Sequence, residues 1–182
     1  GFSTLSNSLY EQSVRYNYFL QLIISWLIIS GGLGYSVMIN HYLQVKNFLL
    51  SKLSMITRMG IRHKNELTRT TTNSRIILVT STILLFTGTI LFMISEYNGA
   101  LQEHSLFGKF VVSFFNATTP RTAGFNNINM AEMGIPALML TMAFMWIGAS
   151  PGSTGGGIKT TTFAVASLNL WNQIKGKEKL II

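Results

Sequence analysis

Charge is scarce in this chain. Charged residues make up 11% of its 182 residues, whereas a soluble domain usually carries about a quarter. With 48% hydrophobic residues, the deficit points to lipid as a solvent, provided the apolar residues gather into spans. Cysteine is absent, so disulfides and thiolate metal sites are excluded. His41, His63 and His104 are isolated in the sequence and read as loop or interfacial residues rather than metal ligands. No Met opens the chain, and its Ser-rich start lacks the basic, apolar and small-residue regions of a signal peptide. The expectation is an internal piece of a longer protein.

The apolar residues do gather. Phe19 to Ile39 and Ile76 to Ile94 carry no charged residue and no histidine. Each run, as a helix, is long enough to cross roughly 30 Å of hydrocarbon. The same lack of ionisable groups argues against an intramembrane enzyme. A third run, Ile135 to Ile147, is too short to cross alone and continues through a glycine-rich stretch into Phe163 to Trp171. The expected class is an all-α integral membrane protein.

Basic residues are concentrated in two places. Lys46, Lys52, Arg58, Arg62, Lys64, Arg69 and Arg75 separate the first two spans, with Glu66 the only acid among them, and Lys175, Lys177 and Lys179 lie in the tail. Excess Lys and Arg in short loops marks the cytoplasmic side. The expected topology puts 44–75 and 172–182 inside, with the segment from Ser95 to Ala131 starting and finishing outside. The basic residues flank spans and no nucleic-acid motif is present, so anionic membrane lipid is the expected partner and nucleic acid is not. The loop at 44–75 reads either as a docking site for a cytosolic regulator or as a solvated topological anchor.

Between the second and third spans the chain dips. Phe107 to Ala117 suits a helix of about three turns, too short to cross. Pro120 disfavours helical geometry at Thr119 and ends the helix near there. Polar backbone follows in Thr122-Ala123-Gly124-Phe125-Asn126. Irregular backbone at membrane depth is tolerated where protein buries it or it lines a water-filled cavity. The order Thr, small, Gly, aromatic, small polar aligns with the T-V-G-Y-G loop of potassium channels, whose carbonyls replace an ion's hydration shell. Potassium is then expected at Thr122, Ala123 and Gly124. Gly124 permits dihedral angles that turn carbonyls inward, Phe125 packs outward, and Thr122 adds a hydroxyl at the inner end. Arg121 has two readings, as a cap on the helix end or as a charge repelling cations at the rim.

An internal repeat supports a pore. GFSTLSNSL at the start and GFNNINMAEM from Gly124 lie 123 residues apart, and in that register Ser30, Gly32 and Gly34 fall on Ser153, Gly155 and Gly157. The unit reads as helix, half-helix, loop, helix, with Gly1, Phe2 and Ser3 as the end of a preceding filter. A single loop cannot surround an ion, so several units must converge on one axis.

The third span is broken by Gly148, Ala149, Ser150, Pro151, Gly152, Ser153, Thr154, Gly155, Gly156 and Gly157, followed after Ile158 by Lys159. Proline and clustered glycines end helices, and broken helices line cavities in transporters. The expected role is a movable obstruction below the filter. A phosphate-binding loop is disfavoured, because Ile158 separates Gly157 from Lys159 and no strand precedes. Lys159 reads as a charge that meets loop carbonyls, repels resting cations, or simply snorkels.

PRTAGFN followed by IGASPGSTGGGIKTTTF closely resembles the Trk/Ktr/HKT superfamily of potassium transporters, in its bacterial membrane subunits. The resemblance implies four helix–pore-loop–helix repeats with pseudo-fourfold symmetry around one pore. It implies that 1–43 is the end of the second repeat, 44–75 a basic cytoplasmic loop, 76–171 the third repeat and 172–182 a basic linker. It further implies uptake of potassium as the transported ion, with no cofactor in this chain and no enzymatic activity. A homodimer, a cytosolic nucleotide-binding regulatory ring, and a multi-pass place in the bacterial cytoplasmic membrane follow from the same resemblance. Gly124 and Gly1 become filter glycines, and Gly148 to Gly157 the gate. Sodium or non-selective monovalent transport by the same fold is the alternative.

Overall fold

The computed structural model describes residues 3–57 and 72–176. Six helices carry the fold: α1 Tyr18–Leu33, α2 Tyr35–Thr57, α3 Thr72–Ser95, α4 Leu106–Thr118, α5 Ile135–Trp146 and α6 Thr160–Ile174. Two short 3-10 turns, Ser8–Tyr10 and Met130–Glu132, complete the regular structure of the described residues. No strand is present among them; one isolated parallel bridge pairs Ile147 with Ile158.

The helix Asn73–Ser95 is long and apolar enough to cross a membrane unaided. Its two faces differ. Val79, Ile83, Phe86, Ile90 and Ile94 are exposed and recur every three or four residues, which places them on one stripe. On the opposite side Ile77, Ser81, Leu84, Leu85, Thr89 and Phe92 are buried. The buried face packs chiefly on α4, with α5 and α6 also against it. Gly88 permits the close approach: a Cβ there would meet Phe144 Cζ at 2.8 Å and Ala117 Cβ at 3.0 Å. Phe92, Leu101, Val112, Ile128, Met133 and Ala137 form the core that joins α3, α4 and α5.

The first apolar run is not one straight span. Phe19 to Ile39 is divided at Gly34, and the axes of Tyr18–Leu33 and Val37–Lys46 differ by 108°. Gly34 has φ of 81° and ψ of 150°, a backbone region open essentially to glycine alone. A side chain there would also press on Pro151 O at 3.0 Å and Gly152 C at 3.1 Å. This corrects the reading of a continuous run: absence of charge permits a long helix, but the glycine conformation ends it. Helix α2 then runs on to Thr57, so the segment expected as a loop from residue 44 begins as helix. Arg58, Arg62, Lys64, Arg69, Lys177 and Lys179 lie outside the described residues.

The turn between α3 and α4 is held by polar contacts. The buried carboxylate of Glu96 accepts from Ala100 N at 3.0 Å and from Gly134 N at 2.8 Å, tying the end of α3 to the start of α5. His104 is buried; its Nδ1 pairs with Tyr18 Oη at 3.1 Å, and its Nε2 has no partner among the described residues. Burial lowers its pKa below the ordinary histidine value, helped by Arg15 and Lys109 and opposed by Glu103. Arg15 itself pairs with Glu103 at 2.9 Å, and the Tyr16 ring faces the imidazole at 5.4 Å.

An imidazole whose pKa is lower folded than unfolded takes up a proton on unfolding, so stability rises with pH across that interval. His104 therefore contributes fully above the ordinary value near 6.5, and its contribution fades as the pH falls from there toward the folded value. The solubilised full-length protein is expected to melt at a lower temperature at pH 5.5 than at pH 7.5. His104→Gln should narrow that gap; an equal gap in both proteins would remove His104 as its source.

Candidate ion filter and gate

The candidate filter loop is organised by the residue that caps the end of α4. Thr119 N donates to Phe115 O at 2.9 Å, closing the helix. Its carbonyl then accepts from both Ala123 N and Gly124 N at 3.1 Å. Its hydroxyl accepts from Phe125 N at 2.8 Å and donates to Phe125 O at 2.7 Å. One buried threonine thus gathers three successive backbone N–H groups. Thr122 N turns back to Pro120 O at 2.8 Å.

With the N–H groups drawn to that side, the backbone alternates. Thr122 has φ of 78° and Gly124 φ of 75°. The left-handed region is natural for Gly124, but a β-branched Thr122 is strained there by about 1–3 kcal/mol. Such strain persists only where its surroundings over-determine it. The carbonyls of Thr122 and Gly124 accept no hydrogen bond among the described residues. Thr122, Gly124 and Asn126 are exposed, while Ala123 and Phe125 are half-buried. Beyond the loop, Asn126 N donates to Ser8 Oγ at 3.4 Å and Asn126 O accepts from Leu9 N at 2.9 Å. Ser3 is exposed, its Oγ accepting from Leu5 N at 3.1 Å; Gly1 and Phe2 lie outside the described residues.

The glycine-rich break folds into a compact loop against the segment 122–126. Gly148 N donates to Ile158 O at 3.0 Å, Ile158 N to Trp146 O at 3.1 Å, and Ala149 N to Gly156 O at 3.2 Å. Ser150 N donates to Gly32 O at 3.0 Å, so the loop is also pinned to α1. Ser150 O accepts from both N and Oγ of Ser153, and Thr160 Oγ1 lies 3.2 Å from Ser150 Oγ. Two glycines permit this packing. A Cβ on Gly148 would overlap Gly156 O, and a Cβ on Gly155 would press on Ala149 Cβ and, at 2.6 Å, on Thr122 Oγ1. Pro151, Gly152 and Thr154 form the turn that faces the Gly34 bend or solvent. The loop therefore touches the candidate filter at Thr122.

Both basic residues reach loop carbonyls. Lys159 Nζ donates to Gly155 O at 2.7 Å. Arg121 Nη2 donates to Gly148 O at 3.5 Å, its Nε being buried without a partner among the described residues. Arg121 thus points to the start of the glycine loop rather than to the end of its own helix.

A family model described as "TrkH: Cation transport protein" matches residues 1–181. The chain belongs to the TrkH cation transport family. It is similar to the "Potassium/sodium uptake protein NtpJ" of Enterococcus hirae, 35% identical over 98% of this chain and 35% of the relative. It is similar to the "Ktr system potassium uptake protein D" of Bacillus subtilis, 33% identical over 98% of this chain and 36% of the relative. The chain thus spans about a third of these relatives' length. Its fold matches the potassium transporter TrkH from Vibrio parahaemolyticus with a TM-score of 0.65 at 16% identity, covering 100% of this chain and 35% of that one. The family is one of membrane cation transporters, not of enzymes.

Sequence reasoning about this TrkH-family chain missed two features of the site. Thr119 was expected only as the place where α4 ends; the sole signal for more was its position five residues before the filter glycine. The second is a chain of buried amides. Gln21 Nε2 donates to Arg15 O at 2.8 Å, Asn127 Nδ2 to Gln21 Oε1 at 3.0 Å, and Asn116 Nδ2 to Asn127 Oδ1 at 2.7 Å and to Val112 O at 2.8 Å. It links α1, the backbone after the filter, and α4. Gln21 and Asn127 are both fully buried, and buried amides without partners are costly, which makes the chain a clamp.

Proposed function

We propose that the protein of which this chain is part takes up potassium through a carbonyl-lined filter at Thr122, Ala123 and Gly124, gated by the loop Gly148 to Gly157. The observation that carries this is the contact of Gly155 with Thr122, beneath a backbone whose Thr122 and Gly124 carbonyls accept no hydrogen bond among the described residues. Neutral oxygen dipoles suit a weakly hydrated monovalent ion, and the C-terminus of α4 aims its negative end the same way. Cations leaving the filter inward would meet the glycine loop, which Lys159 and Arg121 hold by its carbonyls.

Three further units of the same kind would close the ring with pseudo-fourfold symmetry. The recurrence within this chain supports a repeat: Gly34 and Gly157, 123 residues apart, have φ of 81° and 76°, and the two 3-10 turns begin 122 residues apart. The excess of basic residues puts 44–75 and 172–182 on the inner side of a bacterial cytoplasmic membrane, in a multi-pass protein. A homodimer with a cytosolic nucleotide-binding ring is the proposed assembly. The "Potassium/sodium" in the name of the Enterococcus hirae relative supports a second reading, in which sodium also passes.

The test is rubidium uptake by the full-length protein in bacteria lacking their own potassium uptake. Potassium should compete at equal concentration and sodium only in large excess. Equal competition by sodium would favour the second reading, and no uptake of either ion would reject both.

A further inference from the structure

We propose that a small cavity between α1, α3 and the filter loop is a hydration site, holding one ordered water between Ser81 and Arg121. That water keeps the guanidinium against the gate loop. Several hydroxyls in these helices return to their own backbone. Ser25 donates to Gln21 O, Ser30 to Trp26 O, Thr87 to Ile83 O, Thr89 to Leu85 O, Ser113 to Lys109 O and Thr118 to Phe114 O. Ser81 does not. It is 5% exposed, and its Oγ is buried without a partner among the described residues.

Arg121 contributes a second orphan group. Its Nε is buried and unpaired, and the contact of Nη2 with Gly148 O is long at 3.5 Å. Ser81 and Arg121 line the same cavity, together with Gly32, Leu85, Thr118 and Ala149. Buried polar groups in native proteins are rarely left unpaired, and small polar cavities hold water that bridges them. The space admits a water molecule and is too small for an organic ligand.

The chemistry of the lining selects the occupant. Arg121 Nε–H only donates, while Ser81 Oγ both donates and accepts. The occupant must accept from the guanidinium. A cation is repelled by it. An anion is opposed by the negative end of α4, whose last residue, Thr118, lines the cavity. A neutral molecule that accepts and donates at once remains, and water is the one that fits. The bridge runs from α3 to the residue preceding Thr122, and through Nη2 to Gly148, so it ties the filter and the gate to the same helix.

The water site itself rests on geometry alone; its effect on flux rests on the transport reading above. The full-length protein should show, in a map fine enough for waters, a peak within about 2.7–3.2 Å of both Ser81 Oγ and Arg121 Nε. Ser81→Val fills the space and should raise resting rubidium flux several-fold. Ser81→Ala leaves the space with one partner fewer, should raise flux less, and carries the test if the valine variant does not fold. An empty cavity, or one filled by another segment of the chain, overturns the hydration site. A clear water peak with wild-type resting flux in both variants overturns the link to the gate. If the wild type carries no rubidium, the transport reading fails while the peak still decides the site.

Discussion

Thr119→Val is expected to weaken ion discrimination roughly tenfold while leaving the helices in place. Valine has the shape of threonine without the hydroxyl. That hydroxyl holds both N and O of Phe125, and losing the partner of a buried polar group costs about 1–3 kcal/mol. Thr122 at φ of 78° stores strain of the same order, roughly 1–3 kcal/mol. The two are opposed: the pairing with Thr119 holds the loop in the alternating backbone that Thr122 would leave. Removing the pairing lets Thr122 relax, and its carbonyl turns with it. A change of about 1.4 kcal/mol is a factor of ten in an equilibrium constant, so the preference for rubidium over sodium should fall roughly tenfold. Thr119→Ser keeps the hydroxyl and should stay near wild type. The measurement is uptake of each ion by the full-length protein, at matched amounts in the membrane. If Thr119→Val discriminates as well as wild type, the hydroxyl does not hold the filter.

What the sequence made legible follows from how far apart the interacting residues lie. The helix α4 ends at Thr118, near the place that Pro120 marks, but Thr119 keeps helical angles, φ of −63° and ψ of −35°; the ladder stops because proline has no N–H to continue it, not because it reshapes the residue before it. The end of α5 at Trp146 comes from the glycines after it. A repeat spaced by 123 residues is visible because two glycine clusters line up, and Gly34 and Gly157 share a positive φ in that register. The same alignment contained the bend at Gly34. It was overlooked because hydropathy counts glycine as harmless in a span, whereas φ of 81° ends a helix. The amide clamp was not legible at all. Asn127 and Gln21 are 106 positions apart, and neither carries a local pattern that pairs them. Nor could composition tell where Arg121 points, since the choice depends on the packing of the glycine loop against α1.

Gly155 offers the sharpest test of the gate because its neighbour is a built-in control. A Cβ on Gly155 would press on Ala149 Cβ and Thr122 Oγ1, while one on Gly156 meets nothing within 4 Å. Neither glycine has a positive φ, so the two alanine substitutions differ in space and not in backbone strain. Ala149 is buried, and its N–H and carbonyl are bound to Gly156 and Thr160, so it cannot give way alone. Overpacking of this kind costs about 1–3 kcal/mol, and in the closed arrangement that cost falls on the contact between loop and filter. An open arrangement in which the loop has left Thr122 escapes it. Gly155→Ala is therefore expected to favour the open state by roughly tenfold to a hundredfold, at about 1.4 kcal/mol per decade. The readout is resting rubidium flux through the full-length protein, without any activating partner. Gly156→Ala should leave that flux unchanged. Equal flux from the two variants would mean that the loop does not close the path by resting on Thr122. A lower flux in Gly155→Ala would mean that the contact belongs to the conducting state instead.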